Sequence, residues 1–200
     1  MFIVFEGIEA AGKSTQAKLL ADYLQSIGKE VVLTREPGGT KLGREIRKIL
    51  LNPENLIPPI AELLLYEADR NIHVNNLIKP ALESGKVVIS DRYIYSTLAY
   101  QGYARGLDIN LIKQLNQLAI ENVKPDIVFL LDIPVELSLK RLGEKKDRIE
   151  GESKEFHEKL RRGFLDIAHQ EKERFIVIDA TKSKEEIFNQ IKSVVWEKLQ

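Results

Sequence analysis

The stretch Gly7-Ile-Glu-Ala-Ala-Gly12-Lys13-Ser14 decides the fold of this 200-residue chain. It fits the pattern G-x-x-x-x-G-K-[ST] at every fixed position, and it lies between the apolar run Phe2–Phe5 and the amphipathic stretch Ser14–Ile27. Glycines let a backbone curl so that successive N–H groups point inward at phosphate oxygens, and a helix that begins there adds partial positive charge. The stretch therefore predicts a strand, a phosphate-binding loop and a helix, in that order.

Further apolar runs, rich in β-branched residues, are similar to the first one. They are Val31–Leu33, Val87–Ile89, Ile127–Leu131 and Phe175–Ile178. Their apolar character is nearly continuous, which is typical of parallel strands buried on both faces. Stretches of helical periodicity, such as Leu111–Val123 and Ser183–Leu199, lie between or after them. This alternation predicts right-handed β-α-β units, and hence a three-layer, doubly wound α/β fold around a five-stranded parallel sheet, in one domain spanning residues 1–200.

Composition excludes several classes of function. Lys+Arg and Asp+Glu number 30 each, so the chain has no bulk charge to attract nucleic acid or an acidic membrane. The chain has no cysteine, which excludes disulfides and thiolate metal sites. The N-terminal apolar run lacks a preceding basic segment, and no apolar run approaches the roughly 18 residues of a membrane span. We therefore expect a cytoplasmic protein that binds neither nucleic acid nor membrane.

A phosphate-binding loop of this kind requires an acidic partner to organise Mg²⁺ on a bound nucleotide. Asp91 follows directly after an apolar run, and ligands of open α/β sheets bind at that carboxyl edge. Ser14 and Asp91 are therefore the predicted metal ligands, and Lys13 is expected to reach the β and γ phosphates of ATP. The alternative for Asp91 is to cap the next helix. Arg92 is expected to clamp a second phosphate, because a charge is otherwise unusual at a strand terminus.

Different classes of protein carry such a loop. A GTPase reads guanine with an N-K-x-D strand end, and Lys124-Pro-Asp126 lacks the Asn. A regulatory nucleotide sensor remains open, although it has no use for a second set of arginines such as Arg70 and Arg92. The small size and the highly charged segment Lys140–Arg162 favour a nucleoside monophosphate kinase, which closes a basic lid over two nucleotides. A kinase with another monophosphate or deoxynucleoside acceptor is the closest alternative.

Motifs across nearly the whole chain resemble those of thymidylate kinases and occur in family order. They are Phe5–Thr15, Thr34–Thr40, Leu63–Arg70, Asp91–Gly102, Leu130–Glu136, Asp147–Glu150 and Phe156–Phe164. The resemblance implies transfer of the γ-phosphoryl group of ATP to dTMP, with Mg²⁺, in a homodimer. Dimer contacts could come from Leu118, Ala119 and the stripe Ile60–Leu65, which could equally belong to the core.

The resemblance also implies which residues bind each substrate. For ATP they are Gly7, Ile8, Glu9, Ala10, Ala11, Gly12, Lys13, Ser14, Thr15 and Arg141. For dTMP they are Glu9, Arg35, Glu36, Pro37, Tyr66, Arg70, Arg92, Ser96, Thr97, Tyr100 and Gln101. Pro37 matches a position that is often a cis proline in the family.

Some acceptor residues have a more specific implied role. Tyr66 is expected to stack on thymine, although a place in the helix core is its alternative, and Arg70 is expected to donate to a base carbonyl. Thr97 and Gln101 would face the edge of the base. Glu9 is expected to bind the sugar 3′-hydroxyl, which explains an acid inside a loop that binds phosphates.

The catalytic arginine is expected in the lid, approximately residues 141–153. Thymidylate kinases that carry it in the loop have it at the position of Ala10, and alanine cannot neutralise charge. Lys13, Arg92 and Arg148 are therefore the predicted catalytic residues, and an arginine in this role is worth about 10³–10⁵ in rate. Lys146 or Arg161 could replace Arg148, and a structural ion pair is the rival role for Arg148.

The histidines are not expected to bind a metal. His73, His157 and His169 each lie alone in polar, helical stretches. A position at the surface is therefore predicted for each of them, without a zinc or haem site.

Overall fold

The computed structural model describes residues 1–143 and 147–199, and these contain a five-stranded parallel sheet. The strands are β1 (Phe2–Glu6), β2 (Val31–Arg35), β3 (Val87–Asp91), β4 (Ile127–Asp132) and β5 (Phe175–Asp179). Their order across the sheet is β2-β3-β1-β4-β5, and neighbouring strands run parallel. The predicted fold, an α/β sheet of five parallel strands flanked by helices, is confirmed.

Helices connect the strands along the chain. They are α1 (Lys13–Ser26), α2 (Lys41–Leu51), α3 (Pro59–His73), α4 (Lys79–Glu83), α5 (Ile94–Thr97), α6 (Ile109–Ile120), α7 (Val135–Arg141), α8 (Lys154–Gln170) and α9 (Lys184–Leu199), with π-helical turns at Val74–Ile78 and Leu98–Ala104. Side-chain oxygens of Thr40, Asp108 and Ser153 accept backbone N–H bonds at the starts of α2, α6 and α8, as helix N-termini require. Within the described ranges, no helix is both long and apolar enough to span a membrane.

The sheet is buried at its centre and partly exposed at its edges. β1 and β3 are buried throughout, whereas Leu33 of β2 is 45% exposed and Val177 of β5 is 51% exposed. The prediction of strands buried on both faces is therefore wrong for the edge strands. Each of them has a neighbouring strand on one side only, so it lies at the periphery of the layers, where cover is incomplete.

The strand register brings three chain segments together at the carboxyl edge. Phe5 of β1 lies beside Asp91 of β3 and Phe129 of β4, and Arg35 of β2 also lies beside Asp91. The segments that leave β1, β2 and β3 consequently meet at one place. This meeting point positions the candidate site.

Candidate active site

The phosphate-binding loop, Gly7–Ser14, joins β1 to α1 through a backbone that glycine fits at two points. Gly7 has a φ of 140°, and a Cβ atom there would lie 2.5 Å from the carbonyl oxygen of Leu131. Gly12 precedes α1 with a φ of 95°. L side chains rarely adopt either conformation, which explains both glycines. The strand, loop and helix predicted from this stretch are all present.

Lys13 is buried at the start of α1, and its ammonium group turns back onto the loop. Its Nζ donates a hydrogen bond of 2.7 Å to the carbonyl oxygen of Ile8. Burial, reinforced by the positive charge of Arg92, lowers the pKa of Lys13 to about 8. The ammonium therefore gains from any anion that enters the loop, because an anion offsets both the burial and the repulsion.

Ser14 and Asp91, the predicted metal ligands, lie in direct contact. The Ser14 hydroxyl donates to Oδ2 of Asp91. Asp91 does not cap α5, because that helix begins at Ile94 without a side-chain cap. A hydroxyl and a carboxylate therefore lie side by side below the loop.

Helix α7 packs against the loop from the other side. The Ser138 hydroxyl donates to the carbonyl oxygen of Glu9 at 2.7 Å. Arg141, one of the residues predicted to bind ATP, is exposed, and its guanidinium reaches the carbonyl oxygens of Ala10 at 3.3 Å and Ala180 at 3.5 Å. Arg141 thus lies at the mouth of the loop, held only by weak contacts.

An open cavity of about 210 Å³ lies between the loop, α2, α3 and the turn that follows β3. Lys13, Ser14 and Asp91 line it from the loop side. Every predicted acceptor residue lines it as well: Glu9, Arg35, Glu36, Pro37, Tyr66, Arg70, Arg92, Ser96, Thr97, Tyr100 and Gln101. The peptide bond between Glu36 and Pro37 is cis, as the resemblance implies. The structure therefore brings together residues that the sequence spreads over about half its length.

Arg70 forms the centre of a buried ionic network in the wall of the cavity. Its Nε donates to Glu36 at 2.8 Å, and its Nη1 donates to Glu67 and to Asn116, both at 2.8 Å. Its Nη2 donates to the carbonyl oxygen of Tyr93 at 3.1 Å. Burial acts to lower the pKa of Arg70, but Glu67 and Glu36 outweigh it and raise that pKa. The guanidinium is 1% exposed, so these bonds fix its position.

A second cluster, around Arg92, faces the loop. Its guanidinium donates to the carbonyl oxygen of Gly7 at 3.0 Å, to the Ser96 hydroxyl at 3.3 Å and to Oε1 of Glu9 at 3.1 Å. It also lies 4.9 Å from the ring centroid of Tyr100, whose hydroxyl donates to the same Glu9 oxygen. Burial acts to raise the pKa of Glu9, but Arg92, Lys13 and the hydrogen bond from Tyr100 together outweigh it, so that this pKa lies below its ordinary value. Glu9 is therefore a carboxylate at neutral pH.

Arg47 also lines the cavity, although no motif pointed to it. It lies on α2, and its Nη1 donates to the carbonyl oxygen of Pro37 at 3.0 Å. Burial, together with repulsion by Arg35 and Arg92, lowers the pKa of Arg47. Besides Arg70, the guanidinium groups of Arg35, Arg47 and Arg92 therefore converge on the cavity and repel each other, an arrangement that an anion stabilises. The available signal was the position of Arg47 on α2, four residues before Leu51, which lines the same cavity.

The structure does not bring Arg148 to the loop. Its Nε donates to the carbonyl oxygen of Leu50 at 2.7 Å, and its Nη1 lies 2.5 Å from Oε2 of Glu62. This is the structural ion pair that was the rival prediction. Arg161, one of the alternatives, is held by both oxygens of Asp132 at 2.7 and 2.8 Å, and Lys146, the other alternative, lies outside the described residues.

Comparison with known proteins identifies the family. The family described as Thymidylate kinase matches residues 5–191. The chain is 62% identical over 187 residues to a thymidylate kinase of Sulfurihydrogenibium sp. (strain YO3AOP1), which covers 93% of this chain and 92% of that protein. The chain belongs to the thymidylate kinase family. A thymidylate kinase of Halothermothrix orenii is 50% identical over 196 residues, with 96% of this chain and 94% of that protein covered.

A solved structure of a thymidylate kinase has the same fold as this chain. A crystal structure of thymidylate kinase from Ehrlichia chaffeensis matches with a TM-score of 0.81 and 41% identity, covering 98% of both chains. The predicted family, and with it the predicted class of enzyme, is confirmed. The individual roles of the residues lining the cavity stay predictions.

The predicted surface position is wrong for two of the three histidines. His73 is fully buried, with Nδ1 3.0 Å from Oε1 of Glu36 and Nε2 2.7 Å from the Thr34 hydroxyl. His157 is also fully buried, whereas His169 is exposed as predicted. A signal for His157 was present, because it lies three residues before the buried Leu160 on the inward stripe of α8.

Proposed function

We propose that this chain transfers the γ-phosphoryl group of ATP to dTMP, giving dTDP and ADP. The observation that carries the proposal is the shared cavity, since Lys13 of the phosphate-binding loop and the predicted acceptor residues line the same space. Two nucleotides bound there would meet phosphate to phosphate. Membership of the thymidylate kinase family supports the same reaction.

The thymine end of the acceptor would lie against α3. Tyr66 is half-buried and lines the cavity, so one face of its ring is available to stack on a base. Arg70 is fixed one turn further along the same helix, where a guanidinium N–H would meet a base carbonyl. Thr97 and Gln101 line the cavity beside them. A fixed set of donors suits recognition of one base, because the wrong base leaves buried polar groups unpaired.

The phosphate end of the acceptor would lie among Arg35, Arg47 and Arg92. Their convergence creates a local positive field in a chain whose net charge is zero. A nucleoside monophosphate already carries a nucleophilic phosphate oxygen, so the reaction requires no strong general base. Positioning of that oxygen opposite the γ-phosphoryl group and neutralisation of charge supply the rate acceleration.

Mg²⁺ fits the contact between Ser14 and Asp91. Mg²⁺ in kinases usually retains several waters and takes one or two protein oxygens in addition to substrate phosphates. The hydroxyl and carboxylate found together below the loop supply such a partial set. Among the described residues, no cluster of three or more acidic or histidine side chains offers a complete protein cage. Bound with ATP, Mg²⁺ would neutralise phosphate charge during transfer.

Arg148 is proposed as the arginine that stabilises the transferring phosphoryl group. Glu62 holds it in the structure, so it would exchange this carboxylate for phosphate when ATP binds. Glu62 would not be left unpaired by the exchange, because Arg105 and Gln101 also donate to it at 3.2 and 2.7 Å. Substrate-driven movement of this kind is common where a lid completes the catalytic set.

A homodimer and a cytoplasmic location complete the proposal. Ile60 and Leu64 of α3 and Leu118 of α6 are 46%, 50% and 75% exposed, and α3 packs against α6. A neighbouring set of exposed apolar side chains is suited to a second copy of the chain. Ala119, the other predicted contact, is buried and belongs to the core. The cytoplasmic location is proposed because the donor, ATP, is available there.

An assay of the purified protein with Mg·ATP and a panel of monophosphates tests the reaction. We expect dTMP to give the highest kcat/KM, with dUMP about 10- to 100-fold lower because it lacks one methyl group. The matched control is Lys13→Met, which removes the phosphate-binding ammonium and should abolish turnover of every acceptor. ATP hydrolysis that needs no acceptor, or a clear preference for another monophosphate, would contradict the proposal.

A further inference from the structure

His157 and Glu9 leave polar atoms unpaired at the same buried place. Among the described residues, neither ring nitrogen of His157 has a hydrogen-bond partner, and Oε2 of Glu9 has none either. Nδ1 of the histidine and Oε2 of the glutamate lie 3.7 Å apart, within ion-pair range but beyond hydrogen-bond reach. Buried polar groups are almost always hydrogen-bonded, because an unpaired one costs about 1–3 kcal/mol. Closing this gap by about 0.8 Å would pair both groups at once.

The two oxygens of Glu9 have different surroundings. Oε1 accepts hydrogen bonds from Arg92 and Tyr100, which both line the cavity. Oε2 is turned away from them, toward α8 and His157. The cavity cluster therefore holds one oxygen of the carboxylate by hydrogen bonds, and the imidazole lies 3.7 Å from the other oxygen.

Aromatic packing holds the imidazole in place. The ring of Phe156 lies 5.6 Å from that of His157, at an interplanar angle of 87°, and 6.4 Å from that of Tyr100. His157 does not line the cavity, so it cannot touch a bound acceptor directly. The polar contact between this residue and the cavity therefore runs through Glu9, whereas Phe156 links the two by packing alone.

We propose that His157 is a positioning residue for Glu9, and that it sets the preference of the enzyme for acceptors with a 3′-hydroxyl. With the acceptor bound, the 3.7 Å gap would close, so that the Nδ1–H donates to Oε2 and keeps Oε1 turned toward the acceptor sugar. This inference rests on the proposed function, in which Glu9 binds that hydroxyl. It adds a residue of α8 to the determinants of specificity.

The kinetic test compares two variants with two acceptors, dTMP and 3′-deoxythymidine monophosphate. His157→Phe keeps an aromatic ring and removes both nitrogens, whereas His157→Asn keeps an N–H near the position of Nδ1. We expect His157→Phe to lower kcat/KM about ten- to a hundredfold with dTMP, and less than about twofold with the 3′-deoxy acceptor. His157→Asn should regain most of the loss. His169→Phe, on the exposed part of the same helix, is the matched control and should change neither value.

Several results would overturn the proposal. Equal losses with both acceptors would mean that His157 serves packing alone, and so would an Asn variant as impaired as the Phe variant. No loss with either acceptor would mean that the contact has no role in specificity.

A nitrogen-15 NMR measurement separates this proposal from the proposed function. We expect the wild-type protein to carry a proton on Nδ1 of His157, and Glu9→Ala to shift the ring toward the Nε2–H tautomer. If the tautomer of His157 is the same in the wild type and in Glu9→Ala, the proposed contact between Nδ1 and Oε2 is wrong. If the wild type phosphorylates dTMP without preferring a 3′-hydroxyl, the role proposed for Glu9 is wrong. If it does not phosphorylate dTMP, the proposed reaction is wrong. In either case this spectrum alone decides whether His157 contacts Glu9.

Discussion

The two sides of the cavity are built by different means. The donor side is mainly backbone: the loop curls through Gly7 and Gly12, Lys13 rests on a carbonyl of its own loop, and Arg141 touches carbonyls at 3.3 and 3.5 Å. The acceptor side is built from buried side chains, with Arg70 held at 2.8 Å by carboxylates from two segments. The donor side therefore consists of main-chain groups and weakly held cations, whereas buried ionic contacts fix the side chains of the acceptor side.

This difference matches what each substrate demands. A triphosphate is bound by its charge, so N–H groups of the main chain and mobile cations suffice. A single base must be distinguished from similar ones, which requires donors that are fixed before binding. We therefore expect substitutions on the donor side to change the rate with little change in stability, and substitutions on the acceptor side to change stability as well.

Arg148→Ala should show the largest effect, on the transfer of the phosphoryl group. We expect kcat to fall by about 10³-fold or more with little change in KM, because the contact with phosphate is made in the transition state. The free energy of unfolding should change little, since Glu62 keeps Gln101 and Arg105 as partners. Steady-state kinetics and guanidinium denaturation measure both quantities. An unchanged kcat with a less stable protein would assign Arg148 to the structural ion pair instead.

Arg70→Met should show the next largest effect, on the acceptor side. It leaves the carboxylates of Glu36 and Glu67 buried without their cation, so the free energy of unfolding should fall by about 3–5 kcal/mol. The triple variant with Glu36→Leu and Glu67→Leu should recover most of this loss. Lys18→Met, which breaks an exposed ion pair with Asp22, is the matched control and should cost about 0.5 kcal/mol or less. If Arg70→Met is as stable as the control, the expectation that acceptor-side substitutions lower stability is wrong.

A pH dependence is the smallest expected effect and concerns Glu6, the buried carboxyl below both sides. Burial raises the pKa of Glu6 from 4.5 to about 7. The folded state then binds this proton more tightly than the unfolded state, so stability should fall as the pH rises from about 4.5 to about 7, by about 1–3 kcal/mol. Urea denaturation at several pH values would measure this slope, and Glu6→Gln should flatten it. Equal slopes in both proteins would exclude Glu6 as the source.

The hydrogen bonds of Glu6 connect it to the acceptor side of the cavity. It accepts hydrogen bonds from the backbone N–H groups of Tyr93 and Ser96, at 2.9 and 3.2 Å, and from the Ser96 hydroxyl at 2.7 Å. These bonds fix the turn that carries Arg92. Protonation of Glu6 would therefore change the contacts of the acceptor cluster more than those of the loop.

Local requirements made the loop and the strands predictable from the sequence. Gly7 and Gly12 are required by a backbone conformation within a few residues, and the apolar runs mark the strands to within about two residues at each end. The eleven acceptor positions came from family motifs, and their meeting in one cavity agrees with them. The extent of the domain and the roles of the individual residues stay predictions.

The contacts that organise the acceptor side could not be predicted, because they join distant segments. Glu36 and Arg70 are 34 residues apart in the chain, and Arg70 and Asn116 are 46 apart. His157 and Glu9 lie on opposite halves of the sequence. Polar residues in helices are usually exposed, and only the fold shows that His73 and His157 face inward.

The position of β1 in the sheet has a consequence for how the chain is made. β1 leaves the ribosome before the strands with which it pairs, because its partners are residues such as Val88 and Ile127. At about 5–20 residues per second, synthesis of the intervening 125 residues takes roughly 6–25 s. The nascent chain thus exposes an apolar strand, and an unformed phosphate-binding loop, until β4 emerges. Chaperones that shield apolar segments would act on this chain chiefly during that interval.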